Sequence, residues 1–510
     1  MTLSRRGFLA GLLAAAACSS REGDSPLAWS TGSTGPRITP PSVPGIDTAG
    51  NPFTLGVASG DPDERSVVLW TRLAPDPMVA GAGLPAGDVD VAWEVARDEE
   101  FEHIVVAGIA PAATALAHSV HVVADGLDAA STYWYRFRLG ELTSVVGRTR
   151  TAPPPGEAAA VRLAVASCQR YDHGFFAAHR DVANADVDLV AFLGDYVYEA
   201  DTAPDAVRPV PGPVGVAADL DAYRRRYAAA RLDPDLAAAH ARHPWAITWD
   251  DHEVRNDHAG GVDSGGALAR RAAAYQAWYE HQPVRLPPPD GPSWPVHRSV
   301  RWGSTLELLL LDTRQHRSVQ GCGGGIGGAS CAELADGART LLGTEQEAWL
   351  LDRLAGAATT WTALAQQVVF SPMEVLGQVN LDAWDGYPAQ RQRVVDALAA
   401  GPVRNAVVLT GDIHAELVAG VPDVATELVT SSVSSRFASN FSGVFGLLPA
   451  VAENVRHASS DHRGWLRCEI DESGWRATYR RVVDVANPAS PVVDGPTFEI
   501  RNGRPGARLS

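Results

Sequence analysis

The chain has 510 residues, 45% apolar and 20% charged, which excludes a disordered polymer or a membrane-embedded bundle and asks for two or three domains. A formal net charge of −17 argues against a nucleic-acid-binding surface, and with no Lys in the sequence all 43 fixed cations are Arg. A phosphate substrate stays compatible with that charge, because bound cations reverse the field inside a site.

Ser4-Arg5-Arg6-Gly7-Phe8-Leu9 and the small apolar run behind it resemble a twin-arginine export signal over residues 1–18, too short to span a bilayer. The expected location is therefore periplasmic or extracellular, with the twin-arginine translocase as a partner and no transmembrane span after processing. Cys18 stands where a lipoprotein carries its anchor, behind a weak Ala15-Ala16-Ala17 box; ordinary cleavage near the Ala run is the alternative. Residues 19–50, rich in Ser, Thr, Gly and Pro, read as a flexible linker.

Short alternating runs follow at Ser66–Arg72, Val89–Val95, Ile104–Ile109, His118–Val123 and Thr132–Phe137, with no convincing helix between them. They predict an all-β, fibronectin type III or Ig-like sandwich over 51–153, closed by the Pro-rich boundary at Ala152–Gly156. From 158 to 510 strands alternate with helices, which predicts one α/β (α+β layered) catalytic domain. Helical spacing covers Phe175–Asn184, Leu220–Ala230, Ala267–His281 and Pro388–Ala400, and Thr344–Glu347 reads as a capping box opening a further helix to Ala355. Apolar strand runs surround Leu163, Leu189, Ile247, Leu306, Leu364, Val407 and Thr426. Cys322 and Cys331 bracket a glycine-rich loop and read as a local disulfide, while Cys468 reads as a core strand residue. Cys168 is left unpaired.

Four of these strands end in metal-ligand types of residue: Ser167-Cys168-Gln169, Gly194-Asp195-Tyr196-Val197-Tyr198-Glu199, Trp249-Asp250-Asp251-His252-Glu253 and Gly411-Asp412-Ile413-His414. Loops at the carboxyl ends of neighbouring strands converge on one crevice, so a site holding several cations is the leading expectation. Asp195 is the best bridging carboxylate; the Cys168 thiolate and Tyr198 phenolate suit a trivalent ion, Asp251 and Asp412 suit Ca²⁺, Mg²⁺ or Mn²⁺, and His414 completes the softer position. Tyr196 reads as packing, and Glu199, Glu253 and Glu416 as braces or helix starts. Trp384 is either a loop anchor or a pocket wall. Asp312-Thr313-Arg314-Gln315 reads as a structural strand end, with Arg314 reaching the site as the alternative.

The ordered series VASGDPDERSVVLWTRL, ASCQ, LGDYVYE, WDDHEVRND, LLLLDTRQHRS, ALAQQVVFSPM, NLDAWDGYP, LTGDIHAE and TELVTSSVSS resembles the PhoD-type alkaline phosphatase/phosphodiesterase family, within the calcineurin-like metallophosphoesterases. The resemblance implies Fe³⁺ on Cys168, Asp195, Tyr198 and His414. It implies Ca²⁺ on Asp195, Asp251 and Asp412, and a second divalent site or a substrate contact at Asn380 and Asp382. Asp195 counts among the catalytic groups; His252 would assist proton transfer or orient a carboxylate, and Arg255 would contact phosphate. The expected activity is hydrolysis of phosphate mono- and diesters by metal-bound hydroxide. A phospholipase D-like or teichoic-acid phosphodiesterase is the first alternative, and a cell-surface binding protein with a degenerate metal domain the second.

Overall fold

Strands apolar along their whole length need cover on both faces. In the computed structural model, which describes residues 38–200, 206–212, 215–375, 377–437 and 442–510, two layers of such strands lie back to back. The export signal, Cys18 and the linker as far as residue 37 fall outside the described residues.

Val161–Ala166, Leu189–Phe192 and Pro244–Ile247 are parallel neighbours, buried except at Arg162. Alternation along each strand sends Leu163, Val165, Leu189 and Ala191 to one face and Ala164, Val190, Phe192 and Trp245 to the other. A second parallel set comprises Leu306–Leu310, Trp361–Ala365, Ala406–Thr410 and Ala425–Val429. Its Leu306, Leu308, Ala363 and Val407 share a single core with Leu163 and Val165, so the sheets pack face to face. Outside the first sheet lie the helices Ala177–Asn184, Leu220–Arg231, Pro234–Arg242 and Gly266–His281, inserting Val182, Tyr227, Leu236 and Trp278. Outside the second lie Gly343–Ala355 and Pro388–Ala400, inserting Leu350, Leu354, Val394 and Leu398. The result is a helix–sheet–sheet–helix sandwich, the layered fold expected.

Two helix readings need correction. Pro234–Arg242 was not anticipated, although Asp233 accepts the backbone N–H groups of Asp235 and Leu236 and Pro234 opens the helix. The Thr344–Glu347 capping box is not used: the helix begins at Gly343, whose N–H donates to Thr340 Oγ1 at 2.7 Å, and Glu347 instead accepts from Arg393 and Gln390.

At the amino-terminal end, Val89–Ala96, Ile104–Ala112, Thr132–Leu139, Leu142–Thr143 and Gly147–Arg150 form an antiparallel sheet. Its Val91, Val95, Tyr133 and Phe137 pack on Val67, Leu69, Val120 and Val122. Those partners belong to Val67–Arg72 and Ser119–Ala124, which with Val57–Gly60 extend the first sheet to ten strands; Val57–Gly60 runs parallel to Pro244–Ile247. The expected sandwich therefore shares one leaf with the catalytic layer. Asp61, just past this junction, accepts two bonds from Arg298 and the backbone N–H of Arg285. The carboxyl-terminal strands Val492–Arg501 and Arg504–Leu509 close the opposite edge of the same sheet. Cys322 and Cys331 are disulfide-bonded, and Cys468 is buried in Arg463–Ile470. Among the described residues no helix is long and apolar enough to cross a membrane.

Candidate metal centre

Five of the parallel strands deliver polar groups beyond their carboxyl ends: Cys168 after Ala166, Asp195 after Phe192, Asp250 and Asp251 after Ile247, Arg314 after Leu310, and Asp412 and His414 after Thr410. Cys168, Asp195, Asp412 and His414 all adopt left-handed backbone conformations, with φ of 60°, 57°, 63° and 55°. Each such residue without glycine's freedom costs about 1–3 kcal/mol, and clusters of them mark sites where geometry is held against local preference. Gly194 sits at φ +106°, and a Cβ there would lie 2.5 Å from the Asp250 Cβ and backbone nitrogen, so this turn requires glycine.

The ligand-type atoms converge. Those of Cys168, Asp195 and His414 lie within 4.8 Å of one another, as do those of Asp195, Asp251 and His252 and those of Asp250, Asp251 and Asp412. Asp195 belongs to the first two groups, which is the position of a bridging carboxylate. The Tyr198 hydroxyl donates to Asp195 Oδ2 at 2.7 Å and lies 3.0 Å from His414 Nε2. His414 Nδ1 donates to the Arg436 carbonyl at 2.8 Å, which orients the ring and brings Nε2 to 3.8 Å from Asp195 Oδ2. Glu253 accepts the backbone N–H groups of Asp195, Tyr196 and Asp250, tying two ligand loops together. It is a brace, and neither it, Glu199 nor Glu416 starts a helix. Tyr196 is buried packing beside His240, as expected.

Electrostatics show what the cluster lacks. Burial and neighbouring carboxylates push Asp412 up to about 8 and raise Asp250 well above its ordinary range, against the pull of Arg314. Burial and Asp195 likewise raise the Cys168 thiol and the Tyr198 phenol. Burial would also raise Asp195, yet His252 and His414 hold it at about 2. Asp195 Oδ1 and Asp250 Oδ2 are buried without hydrogen-bond partners. Buried, crowded, unpartnered oxygens beside a thiol and a phenol fit cations, whose binding would displace those protons. The residues present therefore fit a group of metal ions.

Arg314 emerges as the hub. Its buried guanidinium donates to Asp250, to Asp382 Oδ2 at 2.7 Å and to Asp412 Oδ1 at 2.9 Å, with Asp251 Oδ1 at 3.6 Å. It reaches the site rather than merely ending a strand. Asp382 is also held by Arg317 and Gln320, and both it and Asn380 line the cleft; the Asn380 side-chain oxygen also accepts the backbone N–H of Asp382. His252 lines the cleft; its Nδ1 meets Glu199 Oε2 at 2.7 Å and its ring lies 4.2 Å from that of Tyr198. Arg255 departs from expectation: it donates to Asp263 Oδ1 at 2.8 Å, a buried carboxylate that draws it off, and it does not line the cleft. Trp384 is a core anchor, its Nε1 donating to Gln366 and its ring against Phe370. Asp250 and Arg314 were the functional groups hardest to foresee; the paired Asp250-Asp251 was the available signal.

The PhoD-like phosphatase family model matches residues 163–479, and that of the PhoD-like phosphatase N-terminal domain matches 40–153. The chain is 40% identical to alkaline phosphatase D of Bacillus subtilis (strain 168) over 484 residues, covering 90% of this chain and 82% of that protein. A solved structure of PhoD superposes with a TM-score of 0.85 at 38% identity, covering 91% of this chain and 93% of that one. A purple acid phosphatase from yellow lupin (Lupinus luteus) seeds, 13% identical with a TM-score of 0.54 over 88% of this chain and 73% of its own, shares the fold. The chain therefore belongs to the PhoD-like phosphatase family and is a metal-dependent phosphoric ester hydrolase.

Proposed function

We propose that the enzyme hydrolyses both phosphate monoesters and diesters outside the cytoplasm, using a ferric ion beside calcium. The observation that carries this reading is the double membership of Asp195, which adjoins a soft donor set (Cys168, His414, with Tyr198) and a hard one (Asp251, with Asp412 beyond it). Thiolate, phenolate and imidazole suit a trivalent iron, and carboxylate oxygens suit Ca²⁺, with Mg²⁺ or Mn²⁺ as substitutes. When bound, such ions supply Lewis acidity toward the phosphoryl oxygens and toward the attacking water.

The remaining work falls to side chains. His252 is oriented by Glu199 toward the cleft, and in the metal-free protein, although burial lowers its pKa, Asp251, Asp195 and Glu199 together push it up to about 10. It is suited to hand a proton to the departing alcohol. Arg314 holds Asp250, Asp382 and Asp412 in place and offsets part of their charge. Export through the twin-arginine translocase is supported by the Ser4–Leu9 motif and by a disulfide that suits an oxidising compartment. Elemental analysis of the native protein, joined to turnover of Asp195→Asn on 4-nitrophenyl phosphate and on its bis ester, tests the reading. We expect iron and calcium together and a loss of most activity on both esters. A fully loaded Asp195→Asn enzyme with normal turnover would refute the bridging role.

A further inference from the structure

The acidic cluster shares its cleft with a group of apolar side chains. The cleft measures about 790 Å³, room for a ligand of drug size and far more than a phosphate group fills. The same cleft that Asp195, Asp251, Asp412 and His414 line is also lined by Met373, Phe437, Phe445 and Leu448, with the Phe437 and Phe445 rings 5.0 Å apart. The short helices Ser442–Phe445 and Leu448–Val451 continue that apolar lining to the rim, where Val444, Leu447 and Val451 are 58%, 59% and 60% exposed.

Large apolar side chains gathered at the mouth of a catalytic cleft are left in water unless a ligand covers them. Asn256, Gln378 and Asn380 also line the cleft, but Met373, Phe437, Phe445 and Leu448 offer a sugar or glycerol no strong hydrogen-bond donor or acceptor, whereas a hydrocarbon surface gains from each methylene it buries against them. We propose that the preferred substrates are phosphate esters of apolar alcohols, with the phosphate at the acidic cluster and the hydrocarbon body along Phe437, Phe445 and Leu448 toward the rim at Leu447 and Val451. This rests on the phosphoesterase reading and leaves the reaction unchanged: oxygen from water bonds to phosphorus, the bond from phosphorus to the alcohol oxygen breaks, and the alcohol leaves with a proton.

The test uses the metal-loaded enzyme turning over 4-nitrophenyl phosphate, inhibited by inorganic phosphate and by n-alkylphosphonates from methyl to octyl. The inhibition constant should fall along the series, by at most roughly fourfold per added methylene. The double variant Leu447→Asp/Val451→Asp, altered at exposed positions that packing tolerates, should flatten the dependence on chain length. A flat series in the unaltered enzyme while phosphate still inhibits overturns the proposal alone. An unchanged slope in the double variant overturns the assignment to these side chains. Absence of both turnover and phosphate inhibition would instead overturn the phosphoesterase reading beneath it.

Discussion

Replacing Arg314 by Met keeps most of the side-chain volume and removes a guanidinium that touches Asp250, Asp382 and Asp412 at once. Each contact places opposite charges about 4 Å apart between group centres, worth roughly 4 kcal/mol at an effective dielectric constant of 20 before desolvation is subtracted. Breaking a buried pair of this kind leaves a net cost of about 3–5 kcal/mol, because carboxylates stay buried without their partner. Cations at the same carboxylates would repay part of that cost. We therefore expect Arg314→Met to lower the urea midpoint strongly after exhaustive chelation and much less when the protein is saturated with Ca²⁺. Equal losses in both states, or a loss under 1 kcal/mol without metal, would refute the view that the guanidinium and the ions neutralise one set of carboxylates.

Further outcomes follow from the same geometry. Cys168→Ser should abolish or shift the visible absorption of the iron-loaded protein, and an unaltered spectrum would argue against thiolate ligation. Gly194→Ala forces a Cβ to within 2.5 Å of Asp250 at a positive φ, so thermal unfolding should show a loss of at least about 2 kcal/mol together with weaker metal binding; an unchanged melting curve would contradict the close approach. Relative to Asp412→Asn, the metal-free protein should lose stability as pH rises from about 4 to 8, since Asp412 binds its proton more tightly folded than unfolded. That contribution is complete below the ordinary carboxyl range and gone once Asp412 ionises near 8. Chemical denaturation across this range should show the decline, and a rise would reverse the sign of the argument.

Much of the layered architecture could be read from the chain because buried parallel strands are continuous apolar runs, and their ends announce themselves when Cys168, Asp195, Asp251 or Asp412 follows directly. Arg314 could not be recognised with equal force. Its partners Asp250, Asp382 and Asp412 lie 64, 68 and 98 residues away, so only folded loops reveal a hub. Arg255 misled for the converse reason: it follows the ligand loop closely, yet Asp263 captures it. The Thr344 capping signal lost to tertiary contacts, with Gln390 accepting the N–H groups of Leu341 and Leu342 ahead of the helix. The apolar lining at the cleft mouth was invisible because helices of four residues are too short for any apolar period to register.

The parallel pairing of Val57–Gly60 with Pro244–Ile247 carries a lesson for anyone trimming this enzyme. Cutting at the Pro-rich junction after Ala152 would not free a self-contained hydrolase; it would strip three strands from the flank of the catalytic layer and bare the Pro244–Ile247 backbone to any passing chain. Fragments starting there should clump, so the strands before and after that junction belong in one polypeptide.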